Sequence, residues 1–135
     1  MNQLSARIHQ IETDGHLSLV TLSVGQTFCS ALVLDTPETA AYLRVGQAIQ
    51  MVFKETEVGI GKELQGGLSL RNRFPGPITS LEQGKILTKL QLDFQGSLLT
   101  SVITTVSALA LDLHVGQRVE GLVKSTDITL MHAPE

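Results

Sequence analysis

The chain has 135 residues, 42% of them hydrophobic and only 4% aromatic, with a net charge of −3. That is enough for one average domain or two very small ones with packed cores, and it argues against a general nucleic-acid binder, which needs a basic face. The single cysteine, Cys29, excludes an intrachain disulfide and a cysteine zinc site, and within TFCSALVL it reads as a small buried apolar residue.

The N-terminal MNQLSARIHQ lacks the apolar stretch of a signal peptide. No apolar run approaches the roughly 18 residues of a membrane span. A soluble, cytoplasmic protein without a membrane partner is expected. Along the chain, LSLVTLSV (17–24) alternates apolar and polar residues as a half-buried strand does, and TFCSALVL (27–34) is a β-rich run. PETAAYLR (37–44) is the first helical candidate, with Pro37 at a first helical position. A VGQ turn follows, then the strands AIQMVFK (48–54) and EVGI (57–60). GIGKELQGG (59–67) reads as a linker, and its GxGK fragment lacks the spacing of a phosphate loop. Beyond it, ILTKLQLDF (86–94), LLTSVITT (98–105), RVEGLVK (118–124) and DITL (127–130) repeat the strand order, with VSALALDL (106–113) as the second helical candidate.

The recurrence is a repeat. RVGQAIQMVFKETEVGI (44–60) and HVGQRVEGLVKSTDITL (114–130) align at an offset of 70 without a gap. The same offset pairs Asn2 with Asn72, Ile8 with Ile78, Leu22 with Leu92 and Lys54 with Lys124, with about a dozen identities in all. Five short strands and one short helix per unit predict an all-β protein of two tandem OB-like five-stranded β-barrels, spanning 1–62 and 68–132. Units of this size bury modest cores, so oligomers are expected.

No nucleophile–base pair and no paired carboxylates stand out, and His9, His16, His114 and His132 share no metal-ligand spacing. The chain reads as a non-enzyme with no catalytic cofactor and no metal. Hydrogen-bond donors are concentrated instead. Ser69, Arg71, Asn72 and Arg73 precede FPGPITSL, with no carboxylate before Glu82. Thr104, Thr105 and Ser107 lie where a strand gives way to a helical turn, and Lys124, Ser125 and Thr126 close the unit. Taken singly, these are a strand's solvent face, a helix cap and a snorkelling lysine. Together, hydroxyls, amides and one or two cations suit a small, fully deprotonated tetrahedral oxyanion.

The second unit resembles the molybdate-binding Mop module, also called the TOBE domain. The resemblance rests on Ser69-Leu70-Arg71-Asn72 followed by Phe74 and Gly76, on Thr104-x-x-Ser107, on LDLHVGQRV (111–119) and on LVKSTDITL (122–130). It covers nearly the whole chain, because the first unit is a diverged copy, and a tandem pair looks like a molbindin or the ligand-sensing half of the molybdate-responsive regulator. The resemblance implies binding of molybdate or tungstate for storage, delivery or sensing, and homo-oligomers with oxyanion sites at module interfaces. It assigns Ser69, Arg71 and Lys124 to one wall of the site, Thr104 and Ser107 to the facing wall, and to Asn72 the positioning of the opening segment. The first unit departs from the pattern. Leu34 stands where Thr104 would, Pro37 where Ser107 would and Met1 where Arg71 would, leaving Asn2, Lys54 and Thr56. The SAR at Ser5–Arg7 aligns with Pro75–Pro77 and is a decoy. The expectation is an asymmetric protein whose second unit holds the ligand. A start at Asn2, directly before a strand, also predicts a missing or truncated opening segment. The alternative is a regulatory protein-interaction module with a decayed anion site, working with a transporter ATPase or a DNA-binding protein. An OB-type nucleic-acid binder would need stacking aromatics that four Phe and one Tyr do not supply.

Overall fold

The computed structural model describes residues 1–132. Its strands are β1 (Asn2–Asp14), β2 (Leu17–Val24), β3 (Thr27–Val33), β4 (Ala48–Phe53), β5 (Gly59–Gly61), β6 (Asn72–Gln83), β7 (Leu87–Phe94), β8 (Ser97–Thr104), β9 (Arg118–Val123) and β10 (Thr129–His132). One α-helix, α1 (Thr105–Ala110), follows β8, and 3₁₀ turns occupy Glu55–Glu57 and Ser125–Asp127. The strands form two five-stranded antiparallel sheets, ordered β10-β4-β1-β2-β3 and β5-β9-β6-β7-β8. The all-β reading with two OB-like units is borne out.

Each sheet curls because its first strand bends. β1 pairs with β4 through Asn2–Arg7 and with β2 from Arg7 onward, its register shifting between Ile8 and Gln10. β6 does the same between Ile78 and Ser80. An extra residue in one strand sharpens twist and bend, which lets a single strand serve two neighbours. The VGQ blocks sit at these bends. Gly46 and Gly116 have φ of 91° and 92°, a left-handed conformation that favours glycine. Their N–H groups donate to Ile8 O at 2.7 Å and Ile78 O at 2.8 Å, while the carbonyls of Gln47 and Gln117 accept from the same two isoleucines. The repeated motif is therefore a bracket for the bend. In each unit the last strand in sheet order comes round toward the first, β3 toward β10 and β8 toward β5.

The two compact units are Met1–Phe53 with the chain from Lys124, and Lys54–Val123. Each takes most of one repeat and the closing strand of the other, so the repeats 1–62 and 68–132 and the units differ in their ends. β10 pairs with β4, Thr129 opposite Val52, and β5 pairs with β9, Gly59 opposite Leu122. These registers are identical at the repeat offset, so the exchange preserves every pairing. Residues 59 and 60, which the strand and linker readings shared, are thus strand, and so is Gly61. The exchanged segments also enter the cores. Val58 is buried in the second unit, and Ile128 and Leu130 in the first, each such burial stabilising by about 1.5–3 kcal/mol.

The first core is built on Leu4, Ile8, Leu22, Ile49, Met51 and Phe53, and the second on Phe74, Ile78, Leu90, Leu92 and Phe94. Phe74 and Phe94 meet edge to face, 5.1 Å between centroids. Cys29 is buried as expected, and burial pushes its thiol up to about 12. The second helical candidate forms as α1. The first does not, and residues 37–44 make successive turns instead. Thr36 O accepts from both Thr39 and Ala40, Leu43 returns to Ala40 O, and Thr39 Oγ1 accepts the Thr36 N–H at 2.8 Å. Short hydroxyl side chains there compete for the backbone groups a helix would use.

Candidate functional site

Asn72 opens β6 with its side chain fully buried, opposite Val123 at the end of β9. Ser69 and Arg71 precede it on irregular chain and are exposed. Lys124, next after Val123, is exposed and leads into the 3₁₀ turn Ser125–Asp127 of the other unit. No side-chain hydrogen bond or ion pair engages Ser69, Arg71 or Lys124 among the described residues.

Arg73 contrasts with Arg71. Its Nε donates to Glu120 Oε1 at 2.9 Å and its Nη2 to Oε2 at 2.7 Å, a two-pronged pair across β6 and β9. The hydrogen bonds to Glu120 raise the Arg73 pKa further above its already high value. Of the two arginines in the opening segment, one is neutralised and the other is left for something else.

The second donor group lies at the start of α1. Thr104 caps the helix in an extended conformation, and its Oγ1 accepts the Ser107 N–H at 3.2 Å. The same hydroxyl donates to Ser107 Oγ at 2.9 Å. That leaves the Ser107 hydroxyl hydrogen directed elsewhere, so the pair presents one outward O–H donor. Thr105, grouped with these donors in the sequence, is buried and committed. Its Oγ1 bonds Gly84 O at 2.8 Å and Thr88 Oγ1 at 2.9 Å, and its N–H bonds Ile86 O at 2.8 Å. It fastens the helix to the barrel. Exposed apolar side chains surround the donor pair: Ile86, Leu87, which is the strand partner of Thr104, and Val106 and Leu109 on the helix itself.

The structure brings Thr104 to Ser107, and it sets Arg71 beside Asn72. It does not bring these two groups into one pocket within the second unit. Going round the barrel, Asn72 lies beside Val123 of β9, and Leu122 lies beside Gly59 of β5. Gly59 and Ile60 then share a cleft of about 430 Å³ with Ile103, Ser107, Ala110 and Leu111. By this route two strands, β9 and β5, lie between the groups.

At the equivalent places of the first unit the chemistry is different. Leu34 is 81% exposed where Thr104 would be. Asp35 takes the place of Thr105, and its carboxylate accepts from Thr39 Oγ1 at 3.3 Å and from Tyr42 OH at 3.4 Å. Burial, then Asp35, raises the Tyr42 pKa. The decoy Arg7 is tied to the Gly46 carbonyl at 3.0 Å. Among the described residues no group of three or more His, Cys, Asp or Glu could hold a metal, and no helix is long and apolar enough to cross a membrane. Sequence reasoning missed Lys62, whose Nζ donates to Leu111 O at 2.8 Å. Its surroundings of glycine and polar residues gave no signal beyond a linker.

Residues 68–130 match the TOBE domain family. Among curated proteins, the molybdenum transport protein ModE of Herbaspirillum seropedicae is 28% identical over 127 residues. That match takes in 92% of this chain and 47% of ModE, so the chain spans about half the length of the curated relative it matches. Among solved structures, the cytoplasmic molybdate-binding protein ModG with molybdate bound aligns with a TM-score of 0.88 at 23% identity, over 98% of this chain and 96% of that one. The tandem fold is shared. A molybdate-binding protein from Sporomusa ovata is 30% identical, covering 52% of this chain and all of its own, with a TM-score of 0.46. The resemblance read from the SLRN opening and the LVKST closing is borne out.

Proposed function

We propose, from the match of residues 68–130 to the TOBE domain family, that the chain binds molybdate or tungstate in the cytoplasm, for storage, delivery or sensing. The observation that carries this is the contrast between the arginines. Arg73 has its carboxylate, whereas Arg71 and Lys124 have none. A tetrahedral dianion supplies the missing charge and accepts from hydroxyl and amide donors without a proton of its own. Phosphate, still partly protonated at neutral pH, would bring a donor to a group with no acceptor for it. The names of ModE and ModG support the same ligand class.

Ser69, Arg71 and Lys124 are assigned to one wall, Thr104 and Ser107 to the other, and Asn72 to holding the opening segment. The two walls lie on different strands of one unit, β6 and the end of β8, and a second module supplying one of them would close the site around an ion. A homo-oligomer with the ion between modules follows. The apolar side chains around Thr104 and Ser107 suit burial there, since such patches on a monomer mark interaction surfaces. The first unit, with Leu34, Asp35 and Pro37, is scaffold.

Titration calorimetry with molybdate, tungstate, sulfate and phosphate tests the reading. Wild type is expected to bind molybdate or tungstate selectively, and Arg71→Ala and Lys124→Ala each to weaken binding by about 10-fold or more, the worth of a charge-assisted bond. No heat with any oxyanion in a folded sample refutes it and leaves an interaction module as the better account.

A further inference from the structure

Lys62 lies just past β5, the strand that repeat one lends to the second unit. Its ammonium, half-buried, donates to the carbonyl of Leu111, the residue that ends α1. From that residue a series of backbone and side-chain hydrogen bonds leads back through the helix. The Leu111 N–H donates to Ser107 O at 3.0 Å, the Ser107 N–H donates to Thr104 Oγ1, and that hydroxyl donates to Ser107 Oγ. The helix has only six residues. So short a helix has little stability of its own in water and depends on outside contacts. Thr105 fastens its first turn. Lys62 fastens its last, with a positive charge where the helix end is negative.

We propose that Lys62 is a positioning residue for the Thr104–Ser107 donor pair, acting through the backbone of α1 so that the lent strand sets the geometry of the oxyanion wall. The device has a counterpart. At the repeat offset Lys62 corresponds to His132, just where β10 ends in the first unit. The His132 ring lies edge-on to Tyr42 at 5.7 Å, against the segment equivalent to the end of α1. Both lent strands thus end in a side chain that grips this segment, through a hydrogen bond in one unit and a ring contact in the other.

The positioning role rests on the oxyanion reading above, so the test needs one readout with ligand and one without. In Lys62→Met, which keeps the stem and removes the donor, molybdate affinity by calorimetry is expected to fall about 5-fold or more, the net worth of one such bond. Lys62→Arg should bring it back to within about 2-fold of wild type. Without ligand, hydrogen exchange at the Ser107 and Leu111 amides should speed up in Lys62→Met, while Leu92 and Val119 in the barrel stay protected. Unchanged affinity in Lys62→Met overturns the positioning role, and unchanged exchange overturns the clasp. A wild type that binds no oxyanion, with exchange faster in Lys62→Met, overturns the oxyanion reading and the positioning role but upholds the clasp.

Discussion

Replacing Ser107 with Ala separates the two parts that the Thr104–Ser107 pair can play. In the structure the helix is capped by Thr104 Oγ1 accepting the Ser107 backbone N–H, and that bond survives removal of the Ser107 hydroxyl. The side chain is exposed, and its loss opens no cavity. Stability should therefore stay within about 0.5 kcal/mol of wild type. The hydroxyl is, however, the outward donor of the pair, because Thr104 spends its own hydrogen on Ser107 Oγ. A donor to a dianion is worth about 1.5–3 kcal/mol, so the molybdate dissociation constant should rise roughly 10- to 150-fold. Thr104→Ala is the counterpart. It removes the cap, costing about 1 kcal/mol of stability, and it also unseats Ser107, so both readouts should move. Calorimetric titration and thermal melts on the same preparations give both numbers. If Ser107→Ala binds within about 2-fold of wild type, the pair is only a helix cap and the wall assignment fails.

Two further outcomes follow from the packing. A Cβ on Gly76 would lie 1.9 Å from the Asp93 carbonyl oxygen and 2.8 Å from its carbon, both backbone atoms of the neighbouring β7. Gly76→Ala should cost about 3 kcal/mol, the upper range for overpacking, and lower the melting temperature by roughly 10 °C; a melt unchanged from wild type would show that β7 gives way freely. Cys29, with its pKa raised by burial to about 12, stays neutral in the fold while the thiol of the unfolded chain ionises near 9.0. Its contribution to stability is full below the unfolded pKa and declines as pH rises through the folded one. Cys29→Ala should flatten the fall in stability between those limits, as measured by urea unfolding at a series of pH values.

The strands were legible because each shows one face to a core and one to water, so LSLVTLSV and its partner at the repeat offset carry the two-residue period in their letters. The VGQ turns were legible as turns, and the structure supplies the reason they recur, since each brackets a bend at Ile8 or Ile78. The strand exchange was not legible. Gly59–Gly61 and Thr129–His132 meet equivalent partners in equivalent register, so an alternating pattern is satisfied whichever repeat accepts the strand. Nor could the sequence separate Arg71 from Arg73. Two residues apart, they share a face of an extended chain, and the carboxylate that claims one of them is Glu120, on a strand far along the chain.

The two repeats share the bend and its bracket and differ where β3 and β8 end. Several identities that persist, among them Asn2 and Asn72, Ile8 and Ile78, Leu22 and Leu92, Gly46 and Gly116, are buried residues or the glycine of the bracket. One stretch of difference falls on the assigned donors, where Leu34, Asp35 and Pro37 correspond to Thr104, Thr105 and Ser107. The backbone changes with them. The second unit has a capped helix there, and the first has turns drawn around the Thr36 and Thr39 hydroxyls. Asp35 matters most to the argument. A carboxylate in that loop opposes any approaching anion, whereas loss of a hydroxyl would merely weaken its hold. On the function proposed above, the first unit disfavours the ligand while keeping the barrel that accepts the strand of its neighbour. By lending β5 in return, it places Lys62 on the helix that carries the remaining donors.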